Sequence, residues 1–145
     1  MHKSIPALVS AVAFAAPATG AWAAAAQKAT PRKRVATVTK TVVGPQVQAD
    51  RWGYLQVALV VKKTTTTTGT KKKVVTRKII GVSVPVYPNH TDRSVYINQQ
   101  AIPLLRQEVL QAQLNPNIDL ISGASASSDA FIQSLQAAIL QAKKV

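Results

Sequence analysis

Tyr54-Leu55-Gln56-Val57-Ala58-Leu59-Val60-Val61-Lys62, followed downstream by Lys78-Ile79-Ile80-Gly81-Val82-Ser83-Val84-Pro85-Val86, decides the fold. Both runs are rich in β-branched residues and are bounded by turn formers, the signature of strands. In the first, Leu55, Val57, Leu59 and Val61 share one face, and Tyr54, Gln56, Ala58 and Val60 the other, because strand side chains alternate. In the second, Ile80, Val82, Val84 and Val86 face one way until Pro85 and Pro88 end the run. Upstream, Ala36 to Val42 alternates small or apolar residues with hydroxyls and reads as a further strand, stopped by Gly44-Pro45. An antiparallel meander is the economical arrangement.

Between the two later strands lies Lys63-Thr64-Thr65-Thr66-Thr67-Thr68-Gly69-Thr70-Lys71-Lys72-Lys73. This low-complexity stretch has no apolar residue with which to pack a core, so it reads as a mobile loop insertion over 63–73. The alternative is a sheet that continues outward as a polar ribbon, since threonine favours strands.

The second half of the chain changes period. From Ser94 to Gln113, Ile97, Ala101, Leu105, Val109 and Ala112 recur at helical spacing, with a break expected near Pro103. Asn115-Pro116-Asn117 forces a turn, and Ile118 to Ile121 is short and apolar. Phe131, Leu135, Ala138, Ile139 and Ala142 line one face of a final helix starting near Ser128. Strands followed by helices predict an α+β domain, a small antiparallel β-meander with helices packed on one face.

The 145 residues hold one such domain, expected over 35–145. Met1-His2-Lys3, the apolar stretch from Ile5 to Ala18 and Ala21-Trp22-Ala23 read as a secretory signal peptide over 1–26. Pro17, Thr19 and Gly20 keep the unbroken apolar run below the roughly 20 residues of a spanning helix. The expected location is therefore extracytoplasmic, secreted or envelope-associated. Residues 27–34 form a basic tail with too few apolar anchors to order it. The absence of cysteine removes disulfides, thiol chemistry and iron–sulfur clusters, and His90 is the only histidine beyond the leader. A Ser/His/Asp hydrolase constellation is not recognisable, and redox chemistry requires an organic cofactor.

The formal charge is +13, concentrated in Lys28 to Lys40, Lys62 to Lys78 and Lys143-Lys144. A solvated surface, an anionic cell envelope as partner and nucleic acid are the three readings. Nucleic acid is disfavoured, because threonine and valine flank the charges where aromatic residues are usual.

The candidate site lies in Asp119-Leu120-Ile121-Ser122-Gly123-Ala124-Ser125-Ala126-Ser127-Ser128. Gly123 and Ala124 leave room for close approach of another molecule. A helix beginning just beyond, with Ser127 or Ser128 as its cap, directs unpaired N–H groups and a positive dipole end toward an anion on Ser125. The same residues also make an ordinary polar turn.

Asp119, Ser122, Gly123, Ala124 and Ser125 resemble the motif of the FMN-binding domain family, in which an aspartate precedes Ser/Thr-Gly-Ala and then an acceptor hydroxyl. The similarity to secreted actinobacterial-type members runs from Arg51 to Lys143. It includes Arg51-Trp52-Gly53, Tyr87-Pro88, Arg93-Ser94, Ile97-Asn98, Ala101 to Leu105, Glu108, Ala112-Gln113 and Ile118-Asp119. The family usually has Thr at the acceptor position; Ser125 stands there in this sequence.

The resemblance implies an exported flavin-based electron carrier, not a turnover enzyme, with FMN attached to Ser125 by phosphoester. It implies a separate flavin transferase with FAD as donor, and a membrane electron-transfer or reductase partner. Asp119, Ser122, Gly123, Ala124 and Ser127 would complete the attachment site. Trp52, Tyr54, Tyr87 and Tyr96 are candidate ring contacts, and Arg51 and Arg93 candidate partners for phosphate or reduced-flavin charge, though each also serves as an ordinary packing or surface residue. The alternative function is a cationic cell-envelope or nucleic-acid binding protein with the same fold and no flavin.

Overall fold

The computed structural model describes residues 31–145; the signal-peptide reading of 1–26 and residues 27–30 of the basic tail lie outside them. The elements are β1 (Lys33–Val43), β2 (Val47–Gln48), a single 3-10 turn (Asp50–Trp52), β3 (Tyr54–Thr68), β4 (Lys72–Val86), α1 (Asp92–Ala112) and α2 (Ser125–Ala142). β3 is the central strand. β1 and then β2 pair along one of its edges and β4 along the other, all antiparallel. This is the α+β meander that the alternating runs predict.

The threonine run is not a loop. Thr64 to Thr68 continue β3, pairing with Thr37 to Lys33 on one side and Thr76 to Lys72 on the other, and the reversal is confined to Gly69, Thr70 and Lys71. Threonine's branched Cβ suits a pleated backbone, and pairing on both edges satisfies the main chain without any core. Gly69 takes the left-handed φ of 63° that this tight turn requires. The same pairing orders the end of the basic tail: Lys33 and Arg34 are already strand residues opposite Thr68 and Thr67.

One core joins the sheet to both helices. Leu55, Val57, Leu59 and Val61 of β3 meet Val42, Ile79 and Val82 of the flanking strands, Leu105 and Val109 of α1, and Phe131, Leu135 and Ile139 of α2. β4 follows the expected alternation only in part, because register shifts opposite Gln56/Ala58 and Val60/Val61 insert extra residues. The second shift turns Ile79 inward and leaves Ile80 exposed, the reverse of simple alternation. The first accommodates Pro85 within an edge strand, where its missing N–H costs no pairing.

α1 is continuous through Pro103 rather than broken there. Proline removes the amide that would bond Gln99, but Gln99 and Pro103 both lie on the exposed side, where water reaches the freed carbonyl. Its buried stripe is Ser94, Asn98, Ala101, Leu105 and Val109, so Asn98 and not Ile97 points inward. Residues 118–121 pair with no strand. Beyond α1, the Gln113 carboxamide treats β4 as a neighbouring strand would, accepting from Ile79 N–H at 2.9 Å and donating to Ile79 C=O at 3.2 Å.

A hydroxyl repairs the sheet where β1 gives way to β2. Pro45 has no N–H and the strand kinks, so the Val57 amide loses its ladder partner. Buried Ser134 of α2 replaces it, accepting from Val57 N–H at 3.0 Å and donating to Pro45 C=O at 2.8 Å. Gly44 permits this approach: a Cβ there would lie 2.7 Å from Ser134 Oγ and collide with its carbonyl oxygen.

Candidate functional site

Both helices start at the same end of the molecule, and a cleft of about 160 Å³ lies between their first turns. α1 supplies Arg93, Ser94, Ile97 and Asn98, the residues before β3 supply Trp52, and the α2 entry supplies Gly123 to Ser127. Among the described residues no carboxylate lines it, and Arg93 brings a positive charge. Helix N-termini carry partial positive charge; at α1 the first-turn Asp92 offsets it, so the uncapped start of α2 and the Arg93 guanidinium supply the positive potential of the cleft.

The two starts differ in how they are capped. Thr91 caps α1, its Oγ1 accepting from Ser94 N–H at 3.1 Å. α2 has Ala124 at the N-cap position and no side-chain cap, so the amides of its first turn lack both intrahelical and capping partners. Gly123 has φ 83°, a value that favours glycine, and a Cβ on it would meet nothing within 4 Å. The space beside it is open, as close approach requires.

Ser125 is exposed and is the first residue of α2, which therefore begins three residues before the expected Ser128. Ser128 does not cap the helix. It is fully buried, and its Oγ accepts from Ile121 N–H at 3.1 Å, tying the preceding loop down onto α2. Ser127 is also buried but remains on the cleft wall. Fastened this way, the loop presents the Ser125 hydroxyl at a fixed position on the cleft rim.

Of the residues singled out in the sequence, Ser125, Gly123, Ala124, Ser127, Trp52 and Arg93 come together on this cleft. Asp119 and Ser122 are exposed and stand off it, with the Asp119 amide donating to Glu108 Oε2 at 3.4 Å. Arg51 lies over the Trp52 ring, 5.0 Å from its centroid, and so backs the cleft wall without lining it. Tyr87 lines a second hollow with Ile102, Pro103 and Arg106, separated from the first by Asn98, which borders both. Tyr54 and Tyr96 are exposed, 53% and 65%, and line neither.

Asn98 is the residue that sequence reasoning missed. It is 1% exposed, and its Nδ2 donates to Pro88 C=O and Ser94 C=O, both at 2.9 Å, which holds the β4–α1 connection against the helix. Its Oδ1 is buried without a partner. A buried acceptor left unmatched carries a desolvation cost of about 1–3 kcal/mol. The available signal was a polar residue at i, i+3 and i+7 spacing with Ala101 and Leu105.

Among the described residues, no cluster of His, Asp or Glu is arranged to hold a metal, and no helix is long and apolar enough to cross a membrane. No protein-family model matches the chain, and no curated protein matches it.

Proposed function

We propose that the protein is an extracytoplasmic FMN-binding electron carrier whose FMN is joined by phosphoester to Ser125 Oγ. The observation that carries this reading is an exposed serine hydroxyl at the uncapped start of α2, on a cleft whose only charged wall residue among the described residues is Arg93. A phosphate on that oxygen lies where first-turn amides and a guanidinium favour negative charge.

The residues fit the group. The phosphate meets backbone donors and the Arg93 guanidinium and, among the described residues, no carboxylate, and the open space beside Gly123 admits its close approach. A cavity of about 150 Å³ holds a ligand the size of benzene, so the cleft encloses one end of the nucleotide and leaves the remainder accessible to a redox partner. When bound, FMN supplies reversible electron transfer, and the protein supplies position and electrostatic environment.

Attachment is a transfer from FAD catalysed by a separate flavin transferase. The Ser125 oxygen forms a bond to the flavin-side phosphorus, the pyrophosphate bond breaks, AMP leaves, and the hydroxyl proton passes to a base of the transferase. Arg93 and the α2 amides stabilise the bound phosphate. Asp119, exposed on the approach to the motif, is assigned to recognition by the transferase, and a membrane reductase is the proposed source of electrons.

The test is mass spectrometry of protein coexpressed with a flavin transferase. An FMN adduct that gives yellow protein and disappears in Ser125→Ala is expected. Ser125 is exposed, so this variant should keep its stability to within about 0.5 kcal/mol. Folded wild-type protein with neither adduct nor colour refutes the assignment and leaves the flavin-free, cationic reading, which the basic outer sheet favours.

A further inference from the structure

The far half of the sheet carries a charge pattern that neither the core nor the cleft uses. Just past α2, Arg77 Nε donates to Val145 C=O at 3.0 Å. Arg77 is opposite Lys63 in β3, so the paired segments beyond that level extend past the helix as a three-stranded ribbon. All five acidic residues, Asp50, Asp92, Glu108, Asp119 and Asp129, lie outside the long strands β1, β3 and β4.

On the face turned away from the helices, strand register places exposed Lys62 directly opposite exposed Lys78, and exposed Lys33 and Lys72 on either side of Thr68. Like charges facing each other across strands are destabilising, and no acidic residue in these strands offsets them. The two lysine rows lie six positions apart along β3, at Lys62 and Thr68, about 20 Å at strand rise. Between them lie Thr37, Thr64 and Thr76 in one row and Val35, Thr66 and Val74 in the next. The result is a hydroxyl-bearing strip with a pair of cations at each end.

We propose that this helix-free face is a docking surface for a linear, base-free phosphodiester polymer of the poly(polyol phosphate) kind. Successive phosphates neutralise the opposed lysines, and the threonine hydroxyls donate between them. The surface chemistry selects this partner. The ribbon has no aromatic side chain on which a base would stack, which single-stranded nucleic acid binding uses. Its apolar groups are short valines, not the Trp, Phe and Leu of a membrane-inserting face. A three-stranded sheet is broader than the two-stranded ribbon that enters a DNA major groove. Lysines, as compact point charges, suit phosphates with no fixed planar geometry.

The surface is independent of the flavin reading, since it lies at the opposite end of β3 from the cleft. The test is titration of the full chain with a poly(glycerol phosphate) oligomer across a salt series. By analogy with single-stranded nucleic acid, four phosphate contacts give a log–log salt slope of about −3. The variant Lys33→Gln/Lys62→Gln/Lys72→Gln/Lys78→Gln should lose binding, whereas Lys143→Gln/Lys144→Gln and Ser125→Ala should retain it. If the quadruple variant does not fold, each paired variant, Lys62→Gln/Lys78→Gln or Lys33→Gln/Lys72→Gln, should reduce the slope by about half. Polymer binding unchanged by these substitutions overturns the proposal. So does tighter binding, at equal salt and charge concentration, to duplex DNA or to anionic phosphatidylglycerol vesicles.

Discussion

Replacing Ser134 with alanine tests whether a side-chain hydroxyl closes the sheet where β1 becomes β2. The substitution removes two hydrogen bonds, from Val57 N–H at 3.0 Å and to Pro45 C=O at 2.8 Å. The groups left behind are not equivalent. Val57 is fully buried and its amide has no other acceptor in reach, so it carries the cost of an unmatched donor, about 1–3 kcal/mol. Pro45 is exposed, and its carbonyl can turn to water, leaving only the modest net value of one hydrogen bond, about 0.5–1.5 kcal/mol. Together these give an expected loss of about 1.5–4.5 kcal/mol, or ~6–18 °C in melting temperature at ~4 °C per kcal/mol for a domain of this size. Thermal unfolding followed by far-UV circular dichroism reads the loss, and native-state hydrogen exchange should show faster exchange at the Val57 amide. A melting temperature within ~2 °C of wild type, with Val57 protection intact, would show that the hydroxyl does not bear the ladder.

Two further substitutions probe the same scaffold. Gly44→Ala places a Cβ against the Ser134 carbonyl and 2.7 Å from its Oγ, so a loss of about 1–3 kcal/mol is expected in chemical denaturation; equal stability would mean that α2 shifts freely. Pro103→Ala restores an amide for the Gln99 carbonyl in an exposed helix and should stabilise by about 1–2 kcal/mol after allowing for the greater freedom of the unfolded chain. A lower denaturation midpoint would contradict the continuous course of α1.

The sequence shows the sheet and helices clearly because their apolar residues repeat at distinct periods. Leu55 to Val61 alternate and are buried as expected, and Phe131 to Ala142 keep helical spacing. The threonine run misleads because loops and solvated strands share a polar composition; only strand partners on both edges, supplied by the distant segments 33–37 and 72–76, decide between them. Ile80 exchanges faces with Ile79 because a bulge shifts the phase, and nothing local to those residues announces it. The clustering of Ser125, Gly123, Trp52 and Arg93 follows motif residues that are far apart in the chain, whereas the separation of Tyr87 from them depends on where Asn98 stands between two hollows. The role of Asn98 is legible only once its Oδ1 is seen to lack a donor.

β3 runs from the neighbourhood of Trp52 to Thr68, a span of about 45 Å at strand rise. Such a distance is several Debye lengths at physiological ionic strength, so Lys33 and Lys72, opposite Thr68 at the far tip, exert almost no field at the Trp52 end of the strand. Any cargo at the cleft would therefore keep a redox potential insensitive to charge held at Lys33 and Lys72. With both proposals in place, the strand would act as an insulating boom, binding at one extremity and exchanging electrons at the other.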